Sequence, residues 1–159
     1  MAKEKKTNAM RILDKERIKY ETYTYESEDG KIDGVSVAHK INKDVDFVYK
    51  TLVAKGASKQ YFVFIIPVEK ELDLKKGAKA VGEKKVELIP VKEITNLTGY
   101  VRGGCSPIGM KKLFRTVIDL NAEKIPTIIV SGGKIGMQIE LLVTDLVKVT
   151  KGEVADLVM

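Results

Sequence analysis

Two glycine-rich segments, Gly103-Gly104-Cys105-Ser106-Pro107 and Ser131-Gly132-Gly133-Lys134-Ile135-Gly136, are the places where this chain best suits close approach to a ligand. Glycine permits unusual torsions and carries no Cβ, so its backbone amides can cradle a phosphate or hold a developing oxyanion without a catalytic side chain. Two tight turns between strands would look the same. Neither segment contains G-x-G-x-x-G. Gly133-Lys134 lacks both the upstream glycine and the following Ser or Thr of a P-loop.

Side-chain chemistry is scarce. Cys105 is the only cysteine and His39 the only histidine. Together they cannot supply the four ligands of a structural zinc site, and no disulfide can form within the chain. A nucleophile activated by histidine would need His39, which falls on an amphipathic stretch beside Ala38 and Lys40. Cys105 reads either as an exposed loop nucleophile or as a small packed residue. Lys50 stands among apolar neighbours, away from solvated clusters such as Lys75-Lys76 and Lys84-Lys85. It could anchor a phosphate or carbonyl, or snorkel from a strand edge.

The elements that would position these residues follow from periodicity. Thr7 or Asn8 caps a helix containing Met10, Ile12 and Leu13, and Tyr20 to Tyr25 alternates as a strand with Tyr23 and Tyr25 on one face. Glu26 to Gly34 is a polar turn, Val35, Ala38 and Ile41 share a helical face, and Asp44 with Asp46 starts a turn near Phe47. Lys50 to Ala54 is a strand. Tyr61 to Pro67 is a continuous apolar run expected at the sheet's centre. Asp73 caps a helix with Leu74, Ala78 and Val81, Val86 to Leu88 is a short strand, and Pro90 to Leu97 is helical. Strands are expected at Thr116 to Leu120, Thr127 to Val130 and Gln138 to Val143. A closing helix spans Asp145 to Val149, before Gly152 interrupts the tail. The class is mixed α/β (α+β), with a curved or barrel-like sheet and surrounding helices rather than a doubly wound parallel sheet.

The 159 residues are of single-domain length, so one domain over 1–159 is expected. The charged opening at Lys3, Glu4, Lys5 and Lys6 carries no hydrophobic signal, and no apolar run has bilayer length, which points to the cytoplasm. A net charge of +6 favours a polyanionic partner. No DNA-binding motif and no membrane segment is seen.

The chain resembles the YbaK/EbsC family of freestanding aminoacyl-tRNA deacylases, related to the editing insertion domain of prolyl-tRNA synthetase. The resemblance is nearly full length. It rests on Thr7-Asn8-Ala9, Thr24-Tyr25-Glu26, Val48-Tyr49-Lys50-Thr51-Leu52, Leu72-Asp73-Leu74-Lys75-Lys76 and Thr98-Gly99-Tyr100-Val101. It continues through Gly103 to Gly109, Ser131 to Lys134, Gly136 and Ile139-Glu140-Leu141.

The resemblance implies trans-editing of Cys-tRNA(Pro), with Cys-tRNA(Cys) as a second substrate and prolyl-tRNA synthetase as a transient partner. It implies no metal and no organic cofactor. It implies attack by the substrate's own thiol on its ester, releasing tRNA and a thiolactone. Lys50, Gly103 and Gly104 are the catalytic positions it implies. Tyr25, Thr51, Ser106, Pro107, Ser131, Gly132 and Gly133 are the substrate-binding ones. Gln138 stands where some family members carry Asp, so a role for that carboxylate does not transfer. Deacylation of another small-amino-acid tRNA, or noncatalytic binding of tRNA or synthetase, are the other functions considered.

Overall fold

The structure is a computed structural model that describes residues 6–159; the charged opening at Lys3, Glu4 and Lys5 lies outside the described residues. The apolar run Tyr61–Pro67 forms strand β3 at the middle of a five-stranded sheet of order β4-β2-β3-β5-β8. Its neighbours β2 (Tyr49–Gly56) and β5 (Arg115–Asp119) run antiparallel and parallel to it, respectively. The edges are β4 (Val86–Leu88) and β8 (Glu153–Ala155). The run is continuously apolar because both faces are covered. Phe62, Phe64 and Ile66 pack with Ala78 and Val81 of helix α3 (Leu74–Val81), while Val63 and Ile65 join Leu13, Ile128 and Leu146 in the other core.

A second sheet of order β1-β7-β6 joins β1 (Glu21–Thr24), β7 (Met137–Leu142) and β6 (Thr127–Ser131), all antiparallel. A parallel bridge between Val48 and Ile129 links the two sheets. The mixed α/β class is as expected. The strands form two joined sheets and do not close into a barrel.

Caps set the helix starts. Thr7 accepts from the Met10 amide at the start of α1 (Asn8–Lys15), whose Ala9, Met10 and Leu13 are buried. Asp33 accepts from the Ser36 amide to begin α2 (Gly34–Lys40), and Asp73 accepts from the Lys75 and Lys76 amides to begin α3. The Pro90 to Leu97 segment is a 3₁₀ turn, Val91–Glu93, followed by α4 (Ile94–Thr98). α5 (Val143–Thr150) ends at Lys151 in the left-handed region (φ 53°). The tail beyond Gly152 does not trail away. It adds β8 alongside β5, a parallel pairing that short-range periodicity does not reveal.

Candidate active site

Lys50 is the second residue of β2 and pairs across the sheet with Ile66. It opens onto a cleft walled by Thr51, Gly103, Cys105, Ser131 and Gln138, over an apolar floor of Val37, Val48 and Val68. Four parts of the fold meet here: the start of β2, the 101–105 turn, α2, and the β6–β7 hairpin, in which Ser131 and Gln138 are register partners. Gly34 lets α2 sit on the floor, because a Cβ there would fall 2.2 Å from Val68 Cγ1. Lys50 is half-buried and forms no ion pair with any described residue.

The glycine segments meet backbone to backbone. A Cβ on Gly104 would lie 2.8 Å from the Ile135 amide nitrogen and from Lys134 Cα, so this position has no room for a side chain. Gly103 takes a φ of +82°, and a Cβ there would meet Ile32 Cδ1 at 2.7 Å in the cleft wall. Helix α1 ties both segments down. The Thr7 hydroxyl donates to the Gly132 carbonyl, and Asn8 Nδ2 donates to the Gly109 carbonyl at 2.7 Å. This accounts physically for the Thr7-Asn8-Ala9 signature lying so far along the chain from the cleft.

The glycines differ in the partners of their amides. The Gly104 amide donates to Val101 O (3.0 Å), the Gly132 amide to Met137 O (2.9 Å) and the Gly133 amide to Ser131 Oγ (3.2 Å). These donors are engaged in holding the turns. The Gly103 and Cys105 amides have no hydrogen-bond acceptor among the described residues, and both residues line the cleft. They are two backbone donors free to meet an oxyanion.

Of the residues expected from sequence, the cleft collects Lys50, Thr51, Gly103 and Ser131. The others lie outside its lining. Gly104, Gly132 and Gly133 shape the two turns. Ser106 is fully buried with its Oγ accepting from the Ile108 amide (3.2 Å), and Pro107 lines a separate cavity with Ile108 and Phe114. Tyr25 is held by its amide on Gly136 O (2.9 Å), its ring 5.8 Å from Lys40 Nζ, outside the cleft lining. The Tyr25 and Thr51 hydroxyls are both buried without a partner. Gln138, noted in the sequence only as the position of a family Asp, is a wall residue, and Ile32 and the apolar floor were not expected. Pairing the two ends of the 131–138 hairpin would have found Gln138.

The cleft lining holds no histidine or carboxylate to activate a nucleophile. Burial pushes the Cys105 thiol up to about 11, against the smaller opposing effect of the nearby Thr98 hydroxyl, so the thiolate is scarce near neutrality. His39 is exposed on α2 and is not a cleft residue. Burial, reinforced by Asp119 and Asp46, also raises the Tyr49 phenol well above its ordinary value. What remains is one cation, the unengaged amides of Gly103 and Cys105, the Thr51 and Ser131 hydroxyls and the neutral amide of Gln138. That set can orient and polarise a carbonyl ester that already contains its own attacking group.

Residues 32–149 match the aminoacyl-tRNA editing domain family. The chain belongs to that family. It is 44% identical over 160 aligned residues to EbsC of Enterococcus faecalis, provisionally named a Cys-tRNA(Pro)/Cys-tRNA(Cys) deacylase, with 99% of this chain and 98% of that protein covered. Two solved structures share the fold. One, described provisionally as a trans-editing enzyme for prolyl-tRNA synthetase, has a TM-score of 0.82 at 21% identity and covers 96% of this chain and 95% of its own. The other, a hypothetical protein, has a TM-score of 0.86 at 20% identity and covers 96% and 99%. The matched span of the editing domain begins at Ile32 and contains the cleft's described walls and floor.

Proposed function

We propose that the protein is a trans-editing deacylase that cleaves the ester of Cys-tRNA(Pro), with Cys-tRNA(Cys) as a second substrate. The observation that carries this reading is the composition of the cleft. Lys50, Gly103 and Cys105 line it, the last two with unengaged amides, and no histidine or carboxylate stands beside them to activate the Cys105 thiol, which burial keeps protonated. The near full-length likeness to EbsC supports the choice of substrate.

In this reading Lys50 orients the ester or the terminal ribose, and the Gly103 and Cys105 amides receive the oxyanion as the carbonyl becomes tetrahedral. The substrate thiol loses its proton and its sulfur attacks the carbonyl carbon. The bond from that carbon to the ribose oxygen breaks, and the ribose oxygen takes up a proton. Water then opens the thiolactone to free cysteine. Gly104 contributes by fixing the turn rather than by donating its amide. The whole chain, 1–159, acts as one editing unit in the cytoplasm, and its net charge of +6 suits a tRNA substrate delivered in a transient complex with prolyl-tRNA synthetase.

Purified protein assayed against Cys-, Ala-, Ser- and Pro-tRNA(Pro) tests the reading. Release of cysteine with the other three esters intact is expected. Preferred cleavage of Ala-tRNA(Pro) would assign the site to another small amino acid. Retained binding with no cleavage of any of the four would make the protein a noncatalytic tRNA module.

A further inference from the structure

A second, mainly apolar groove lies on the other side of Gly103, and it shares the Thr51, Gly103 and Cys105 wall with the Lys50 cleft. Its sides are Leu52, Leu88, Val91 and Ile94, with Arg102 at the rim. Leu88 and Val91 leave 49% and 54% of their surface in solvent, which is unusual for large apolar side chains flanking a cavity.

The sheet register explains why the groove is there and what its polar floor offers. The Ile89 amide donates to Val53 O and the Ala57 amide to Lys85 O, so odd-numbered residues of β2 direct their N–H and C=O toward β4. Thr51 is the next odd residue. At Pro90 the chain leaves the ladder for the Val91–Glu93 turn, so β4 does not continue opposite Thr51. The Thr51 N–H and C=O therefore lie on an open edge of β2 that the groove and the Lys50 cleft share, with no backbone partner among the described residues. The Thr51 hydroxyl at the same wall is likewise buried and unpaired.

We infer that this groove binds the adenine base of the substrate's terminal nucleotide, an inference that rests on the deacylase reading above. A flat base fits between aliphatic side chains, and an adenine edge carries a ring-nitrogen acceptor beside an amino donor. That pair complements the N–H and C=O of one extended residue. With the ester in the Lys50 cleft, the ribose spans the shared Thr51–Gly103 wall and the base enters the groove beyond it. Arg102 at the rim suits the phosphate on the 5′ side.

Val91→Asp tests the groove, since Val91 is exposed, takes no part in the chemistry and can be changed without emptying the core. A contact made equally in ground and transition states shifts KM alone. For Cys-tRNA(Pro), KM should therefore rise about tenfold while kcat stays within about a factor of two. In the wild-type protein, adenosine monophosphate should shift the methyl NMR signals of Leu88, Val91 and Ile94. The corresponding purine nucleotide without the amino group should bind about tenfold more weakly. An active enzyme whose methyls do not respond to adenosine monophosphate, or whose KM is untouched by Val91→Asp, overturns the groove assignment. Methyl shifts in a protein that cleaves none of the esters would keep the groove and remove the proposed reaction.

Discussion

The Asp119 corner and the Lys50 cleft use polar groups in opposite ways. Asp119 is fully buried at the end of β5, yet its carboxylate accepts from the Asn121 amide (3.1 Å), Asn121 Nδ2 (2.7 Å) and the Leu157 amide (3.0 Å). The first two fix the turn after β5, and the third pins the C-terminal segment beside it. In the cleft, Lys50 has no ion partner among the described residues, two amides lack acceptors and the Thr51 hydroxyl is buried and unpaired. A buried polar group left unsatisfied costs about 1–3 kcal/mol. The fold meets that demand fully at Asp119 and leaves it open where a ligand can meet it. Polar residues that hold the fold can thus be told from those that serve the substrate by their partners.

The largest expected effect separates these regions by activity. Lys50→Ala should lower kcat/KM on Cys-tRNA(Pro) by about two to three orders of magnitude, the scale of losing a positioned electrostatic contact, with the melting temperature unchanged. Steady-state deacylation with a thermal melt checks both halves. Unimpaired turnover would place Lys50 with the framework. Asp119→Ala should do the reverse, costing about 2–3 kcal/mol in urea unfolding because the Leu157 amide loses its buried acceptor, while the folded fraction keeps its turnover.

Gly104→Ala tests the region where framework and cleft join. Its Cβ cannot be placed without moving the 134–135 backbone, so it should cost about 1–3 kcal/mol of stability and also impair turnover in the protein that remains folded. Normal turnover would show that the two glycine turns need not touch.

The smallest effect concerns Glu140 on β7. Its carboxylate accepts from the Tyr23 and Thr127 hydroxyls, each at 2.6 Å. Partial burial pushes its pKa up, but the hydroxyls of Thr127 and Tyr23, with Lys43 nearby, outweigh that and leave it below the ordinary glutamate value. A lowered folded-state pKa means the stabilisation is present above the unfolded value and disappears as pH falls through the folded one. Glu140→Gln should therefore cost about 1 kcal/mol at neutral pH and little in acid, read from urea unfolding at the two conditions. An equal cost at both would assign the loss to packing.

Much of the fold was legible in local pattern. Tyr61–Pro67 announced a strand covered on both faces, and Asp73 and Thr7 declared their helices by capping. β8 was not legible, because three residues after a helix carry no periodicity and their pairing with β5 is long-range. The site was legible as chemistry but not as placement. Lys50 and Gly103 stand out by type and context, whereas Ser106 and Pro107 share the same motif yet turn inward to brace it. Which glycine amide is unengaged depends on partners elsewhere in the chain, such as Val101 and Met137, and no spacing rule encodes that.

In the proposed reaction the cleft orients an ester whose own thiol attacks it. Single-turnover cleavage of Cys-tRNA(Pro) and Ser-tRNA(Pro), by wild-type protein and by Cys105→Ala, tests it most directly, since the two substrates differ only in sulfur for oxygen. The expected result is rapid loss of the cysteine ester by both proteins and negligible loss of the serine ester. Comparable rates on the two esters, or inactivity of Cys105→Ala, would contradict it.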